Sequence, residues 1–197
     1  MKKLGHGCQY TAYDLENGRV LKQFHSLLRA YWVIAHGIFA VGKYNLQSLP
    51  CLARDMRHKA LTSFDVIRRC NIPSEWIGNP LFLNGLDYEQ DKVIPISIVF
   101  ASISISEKKE IIDRFIEFTQ KLLALGIIDK SFNMMKNFGF SGDDIILIDI
   151  GELYDDKNFI KRQISSRAWT KQYVAGCIIE SDAREYFITQ MDNAFLS

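Results

Sequence analysis

The stretch that decides the fold is Asn137–Gly151, which reads NFGFSGDDIILIDIG. Two short apolar runs, 138–140 and 145–148, flank a polar turn, and this pattern predicts a β-hairpin. The ends of an antiparallel pair lie side by side, so Asn137 and Asp149 are expected to meet. Their oxygens are ligands that Mg²⁺ accepts together with phosphate oxygens. The alternative is structural: Asn137 opens the hairpin and Asp149 caps the next turn.

A second pattern lies at the N-terminus, in residues 4–13 (LGHGCQYTAY) and 18–24. Alternating residues predict two or three strands joined by a turn at Asn17-Gly18. Gly5 and Gly7 would let the backbone approach a phosphate closely. Lys22 ends an apolar strand, from which it would reach an anionic ligand. The alternative is a surface hairpin with an exposed lysine.

The rest of the chain alternates predicted helices with short strands. Apolar spacing predicts amphipathic helices over 52–70 and 107–125, the second capped by Ser104 or Ser106 and ended by Gly126. A further helix is predicted over 26–46, and strands are predicted within 81–100, where they include the run Val93–Phe100. The last 46 residues are predicted to be helical. The order indicates an α+β protein with a strand-rich N-terminal part and a helical C-terminal part.

Together, the two patterns resemble the protein-kinase-like superfamily over about residues 4–151. The segment LLALGIID, residues 122–129, resembles the start of that family's catalytic loop. The resemblance implies a single two-lobed domain, with an N-lobe over 1–100 and a reduced C-lobe over 101–197. Only 46 residues follow Gly151, so a complete kinase C-lobe does not fit. The size is similar to that of trimmed kinase-like proteins that some bacteria deliver into host cells.

Site roles follow from the resemblance. Gly5 and Gly7 match the glycine loop, and Lys22 matches the strand-three lysine that holds the α- and β-phosphates of ATP. Asp149, in Asp-Ile-Gly, matches the first residue of the Asp-Phe-Gly motif. Asn137 matches the Mg²⁺-binding asparagine.

Asp129 is the nearest carboxylate to the position of the catalytic base, and Asn133 is the rival to Asn137 as metal ligand. The family places its catalytic aspartate five positions before the asparagine, whereas Asp129 lies eight positions before Asn137. The glutamate that normally partners the lysine is missing, which leaves Asp55 and Asp65 as acidic substitutes. Tyr10 replaces the third glycine of the loop.

The resemblance predicts a phosphotransferase that uses ATP and Mg²⁺ and acts on a protein Ser, Thr or Tyr hydroxyl. One alternative is a pseudokinase that binds a nucleotide or a partner without chemistry. A second is a small-molecule kinase, although little of the chain remains to form an acceptor pocket.

Composition and local sequence patterns exclude several classes of protein and predict a location and candidate partner surfaces. A hydrophobic content of 48% excludes a disordered chain, and a net charge of +1 argues against a nucleic-acid partner. Four scattered cysteines and the lack of a signal-peptide pattern predict a cytoplasmic protein, in the producing cell or in a host. No transmembrane segment is expected, because the apolar stretch 30–42 is too short. That stretch and the basic segment 157–171 are the candidate surfaces for a protein partner.

Overall fold

The structure, a computed structural model, describes the backbone of residues 1–41 and 49–196, and the side chains of residues 1–35 and 49–196. Its largest sheet is antiparallel and five-stranded, in the order β1-β2-β3-β5-β4. The strands are β1 (Lys2–His6), β2 (Tyr10–Asp14), β3 (Arg19–Phe24), β4 (Leu81–Phe82) and β5 (Tyr88–Asp91). The predicted N-terminal strands are confirmed. Gly18 has the positive φ, +80°, that the turn before β3 requires.

Two helices follow β3, namely α1 (Leu27–Val41) and α2 (Leu49–Arg69). The α2 prediction is confirmed, and Asn71-Ile72-Pro73 follows the helix as expected. Its buried face packs under the sheet, where the rings of Phe64 and Tyr88 lie 5.8 Å apart edge to face. The helix predicted over 26–46 is confirmed as far as residue 41, and the rest lies outside the described residues.

The run Val93–Phe100 was predicted as strand, and most of that prediction is wrong. Only β6 (Ile94–Pro95) is extended, and α3 (Ile96–Phe100) follows it directly. Pro95 is the N-cap residue of α3, where proline is tolerated because the first N–H groups of a helix have no partner within the helix. Ile96 and Phe100 are buried at a spacing of four, which is a helical period hidden in a β-branched run.

The helix predicted over 107–125 is confirmed as α4 (Ile105–Ala124). Ser104 caps it and forms a capping box with Glu107, and Gly126 follows its end with φ +76°. Its buried residues include Ile112, Phe115 and Leu122, none more than 1% exposed. The segment 127–154, which carries most of the predicted site residues, begins just after this helix.

Residues 127–154 form the segment that carries most of the predicted site residues. Its elements are β7 (Ile128–Asp129), α5 (Met134–Asn137), β8 (Phe138–Ser141), β9 (Asp144–Leu147) and β10 (Leu153–Tyr154). The predicted hairpin is confirmed as β8 and β9, which β6 extends to a three-stranded sheet. β7 pairs with β10, so the chain before the hairpin contacts the chain after it.

The C-terminal part is helical, as predicted, with α6 (Lys157–Ser165), two short 3₁₀ turns and α7 (Ser181–Phe195). Trp169 and Phe187 are completely buried there, and α7 packs along α4. The chain is therefore an α+β protein with antiparallel sheets. No helix in the described ranges combines the length and apolarity needed to cross a bilayer.

Candidate functional site

The base of the β8–β9 hairpin brings Asn137 and Asp149 together. The carbonyl oxygen of Asn137 accepts the backbone N–H groups of Ile148 at 2.7 Å and Asp149 at 3.3 Å. The two residues therefore sit at adjoining chain ends, as the hairpin pattern predicted. Asp149 is half-buried, and its Oδ1 accepts the Gly151 N–H at 3.4 Å. Its second oxygen accepts no hydrogen bond from a described residue.

Asp129 fixes the side chain of Asn137. Asn137 Nδ2 donates to Asp129 Oδ1 at 2.9 Å. A carboxylate only accepts, so the amide nitrogen of Asn137 must face it, and the amide oxygen must point elsewhere. No described residue donates to that oxygen. The contact thus leaves the amide oxygen of Asn137 available as a neutral ligand, on a residue whose backbone adjoins that of Asp149. An amide oxygen and a carboxylate are ligands that a hard cation prefers.

The carboxylate of Asp129 is itself enclosed. Only 2% of the residue is exposed, and β7 holds it opposite Leu153 of β10. Its Oδ2 accepts the N–H of Ser131 at 3.2 Å and that of Asn133 at 3.4 Å. In this arrangement Asp129 contacts its own loop, and no surface of it is open to an acceptor hydroxyl.

Burial raises the pKa of Asp129 to about 6, the hydrogen bond from Asn137 opposes the rise, and the charge of Asp149 adds to it. The folded state therefore holds this proton more tightly than the unfolded state. The resulting stability is present at low pH and is lost as the pH rises from about 4 to about 6. It amounts to about 3 kcal/mol at most.

Asp129→Asn is expected to remove this contribution, because its amide oxygen still accepts from Asn137 but does not titrate. Urea unfolding across this pH window would show a steeper fall in unfolding free energy for the wild type than for the variant. Parallel pH profiles for the two proteins would contradict the assignment.

Lys22 lies on the inner face of the five-stranded sheet. The register places it between Ala12 of β2 and Tyr88 of β5. Burial lowers the pKa of Lys22, and the nearby Asp149 carboxylate raises it in opposition. Since Lys22 forms no ion pair with a described residue, Asp149 is the countercharge that the structure provides. The sheet thus brings the predicted lysine toward the predicted metal ligand.

The proposed substitutes for the missing glutamate are engaged elsewhere. Asp55 forms an ion pair with Lys59, and Asp65 lies 3.6 Å from Arg68, both within α2. Neither acts on Lys22. The expectation that one of them partners the lysine is therefore not met, because both point along the helix surface.

The glycine loop is anchored by Gln9. Its Nε2 donates to the carbonyl oxygens of Met56 at 3.3 Å and Gly151 at 3.5 Å. A Cβ at Gly151 would overlap Gln9 Oε1, so a larger residue there would displace the end of the Gln9 side chain from this contact. By contrast, a Cβ at Gly5 or Gly7 would meet nothing within 4 Å. These two glycines therefore border open space.

Ser63 was not predicted from the sequence as a site residue, although it holds the segment after Asp149 in place. It is completely buried, donates to the carbonyl oxygen of Ile150 at 2.6 Å and accepts the Leu153 N–H at 2.9 Å. The signal was present, because Ser63 falls on the apolar face of α2 beside Phe64. A serine at such a position requires a buried partner.

Asn133 is turned away from this arrangement. Its Nδ2 donates to the carbonyl oxygen of Tyr173 at 3.0 Å, and its buried Oδ1 has no hydrogen-bond partner among the described residues. Asn137, which adjoins Asp149 directly, has the better geometry for a metal ligand.

The structure shows which side chains of the two candidate partner surfaces, 157–171 and 30–42, contact the rest of the protein and which are exposed. Arg167 of the basic segment donates through Nε to Asp192 of α7 at 2.9 Å, and Trp169 shares that carboxylate. Arg167 is therefore tied to α7, although it is exposed, as Lys157, Lys161 and Arg162 are. In the stretch 30–42, Trp32 is 56% exposed, and the side chains beyond residue 35 lie outside the described set.

Comparison with protein-family models and with curated proteins finds no match to the chain. In the described part of the chain, no group of three His, Cys, Asp or Glu side chains could hold a metal ion. A cation at this site would thus need the Asn137 amide and the Asp149 carboxylate, with further oxygens from a ligand.

Proposed function

We propose that the chain is a minimal two-lobed kinase-like protein that binds ATP with Mg²⁺ and transfers the γ-phosphoryl group to a protein hydroxyl. The observation that carries the proposal is the convergence of Asn137, Asp149 and Lys22. Two segments far apart in the sequence, strand β3 and the β8–β9 hairpin, bring a half-buried ammonium within electrostatic reach of a carboxylate that adjoins a neutral amide. Phosphoryl transfer depends on positioning and charge neutralisation, and these groups supply both.

Each residue has a defined part in this proposal. Lys22 binds the nucleotide phosphates, and the backbone at Gly5 and Gly7 approaches them. Asn137 and Asp149 would hold Mg²⁺, which when bound neutralises charge on the phosphate oxygens. Asp129 orients the amide of Asn137. The base role that the resemblance gives Asp129 would need its carboxylate to become accessible to the acceptor hydroxyl.

Gly7→Ala separates a phosphate loop from an ordinary hairpin. A Cβ at this position meets nothing within 4 Å in the free protein, so the unfolding free energy should stay within about 0.5 kcal/mol of wild type. Mg-ATP affinity should fall about tenfold or more, because the methyl group occupies space that a phosphate needs. Gly142→Ala, in the β8–β9 turn, is the contrasting variant: its φ of +58° predicts lost stability, with nucleotide affinity kept. Unchanged Mg-ATP affinity in Gly7→Ala would favour the plain hairpin.

A pseudokinase is the second candidate, and two observations favour it. No described acidic residue of α2 partners Lys22, and Asp129 is enclosed rather than open to a substrate. Such a protein would bind Mg-ATP through the same residues without transfer.

The experiment that decides between the two is transfer of labelled γ-phosphate to the chain itself and to generic protein acceptors, with Lys22→Ala as the blank. Labelling that depends on Lys22 supports the transferase. Mg-ATP binding without labelling supports the pseudokinase, and the absence of both overturns the proposal.

A further inference from the structure

A cavity lies on the face of the five-stranded sheet opposite Lys22. Neighbouring residues of a strand point to opposite faces, so Lys22 and Gln23 of β3 face different sides. Gln23 pairs with Thr11 of β2, and both line a cavity of about 270 Å³ to which α1 contributes Arg29. The cavity is thus separated from the proposed nucleotide site by the thickness of the sheet.

The charge of this cavity is positive. Lys3, His25 and Arg29 line it, and none of its lining residues is acidic. Neither Lys3 nor Arg29 forms an ion pair with a described residue, although ion pairs are common elsewhere on this protein. Arg29 Nε is buried and has no hydrogen-bond partner among the described residues. A buried guanidinium nitrogen without an acceptor is costly, so an acceptor bound in the cavity would stabilise Arg29.

The hydrogen bonds of His25 show which groups carry the charge. Its Nδ1 lies 3.0 Å from the carbonyl oxygen of Cys8, which only accepts, so Nδ1 carries a proton. Its Nε2 lies 3.1 Å from the Thr11 hydroxyl. Burial lowers the pKa of His25, and Arg29, His6 and Lys3 lower it further against the bond to Cys8. The ring is therefore neutral, and Lys3 and Arg29 supply two positive charges.

We propose that this cavity binds a phosphate group, either free or carried as a phosphate monoester. Two uncompensated cations match a dianion, and the guanidinium of Arg29 offers paired donors to its oxygens. The hydroxyl of Ser26 and the amide of Gln23 line the same space and provide neutral donors. The site does not depend on the proposed nucleotide function, since it uses none of those residues.

The test is calorimetric titration at fixed ionic strength with inorganic phosphate and with N-acetyl-O-phosphoserine amide, using N-acetylserine amide as the uncharged probe. Saturable binding of a phosphate-bearing probe is expected for wild type and for Lys22→Ala. Arg29→Gln and Lys3→Gln should each weaken it about tenfold, because each removes a charge-assisted contact. Lys2→Gln is the matched control, because it alters the adjacent exposed lysine without touching the cavity.

The two probes distinguish the source of the ligand. Tighter binding of the phosphoserine probe indicates a phosphorylated side chain, and tighter binding of inorganic phosphate indicates a free ion. Circular dichroism checks that each variant is folded. If Arg29→Gln does not fold, Lys3→Gln alone still tests the proposal. The proposal is overturned if neither probe binds, if binding survives both substitutions, or if Lys22→Ala abolishes it. The last result would assign the phosphate to the nucleotide site.

Discussion

Asp149→Asn is expected to reduce phosphoryl transfer by about a hundredfold to a thousandfold, the largest functional effect of any single substitution in the site. The change keeps the shape of the side chain and its contact with the Gly151 N–H, but it removes the carboxylate proposed to bind Mg²⁺ together with the Asn137 amide oxygen. A neutral pair of amide oxygens binds Mg²⁺ poorly, and Lys22 loses its countercharge. The rate is measured by steady-state γ-phosphate release over a range of Mg²⁺ concentrations.

Asp144→Asn is the matched control for this substitution. Asp144 lies on the same hairpin, is exposed and pairs with Ser141 at the far end from Asn137. Its removal should leave the rate and the Mg²⁺ dependence unchanged. If both variants retained wild-type rates, Asp149 would be a turn-capping residue, as the alternative interpretation of the sequence holds.

Ser63→Ala is expected to lower the free energy of unfolding by about 3 kcal/mol, the largest stability effect of any polar substitution near the site. The hydroxyl joins α2 to the backbone on both sides of Gly151, through Ile150 and Leu153. Alanine would leave a buried carbonyl and a buried N–H without partners. Equilibrium urea unfolding measures the loss, and hydrogen exchange should show faster opening at the Leu153 amide.

Thr62→Ala provides the control on the same helix. Thr62 is half-buried, no hydrogen bond of its side chain contributes to the segment, and alanine favours the helix. The unfolding free energy of this variant should stay within about 0.5 kcal/mol of wild type. Equal losses in the two variants would mean that Ser63 acts only through helix propensity.

The parts of the site that the sequence predicted are those set by local pattern. The β8–β9 hairpin follows from two apolar runs around a polar turn, and its register brings Asn137 beside Asp149. α4 and its cap follow from apolar spacing and from Ser104 with Glu107. In both cases neighbouring residues determine the geometry, so no tertiary information is needed.

The parts that were missed depend on contacts between distant segments. The two-residue strands β7 and β10 have no pattern of their own and exist because they pair with each other. Their pairing encloses Asp129, which is why its contact with Asn137 could not be foreseen. The same holds for Ser63, whose two partners lie 87 and 90 positions further along the chain. In α3, Pro95 and the burial of Phe100 outweigh the β-branched character of the run.

The most direct test of the central claim is isothermal titration of the wild-type chain and of Lys22→Ala with ATP, in the presence of Mg²⁺ and again in excess EDTA. We expect saturable ATP binding to wild type, with an affinity that falls about tenfold or more when EDTA removes Mg²⁺. Lys22→Ala should bind ATP about tenfold or more weakly than wild type, both with Mg²⁺ and with EDTA. Binding of wild type that is absent, or that depends on neither Mg²⁺ nor Lys22, would contradict the assignment of Lys22, Asn137 and Asp149 to a nucleotide site.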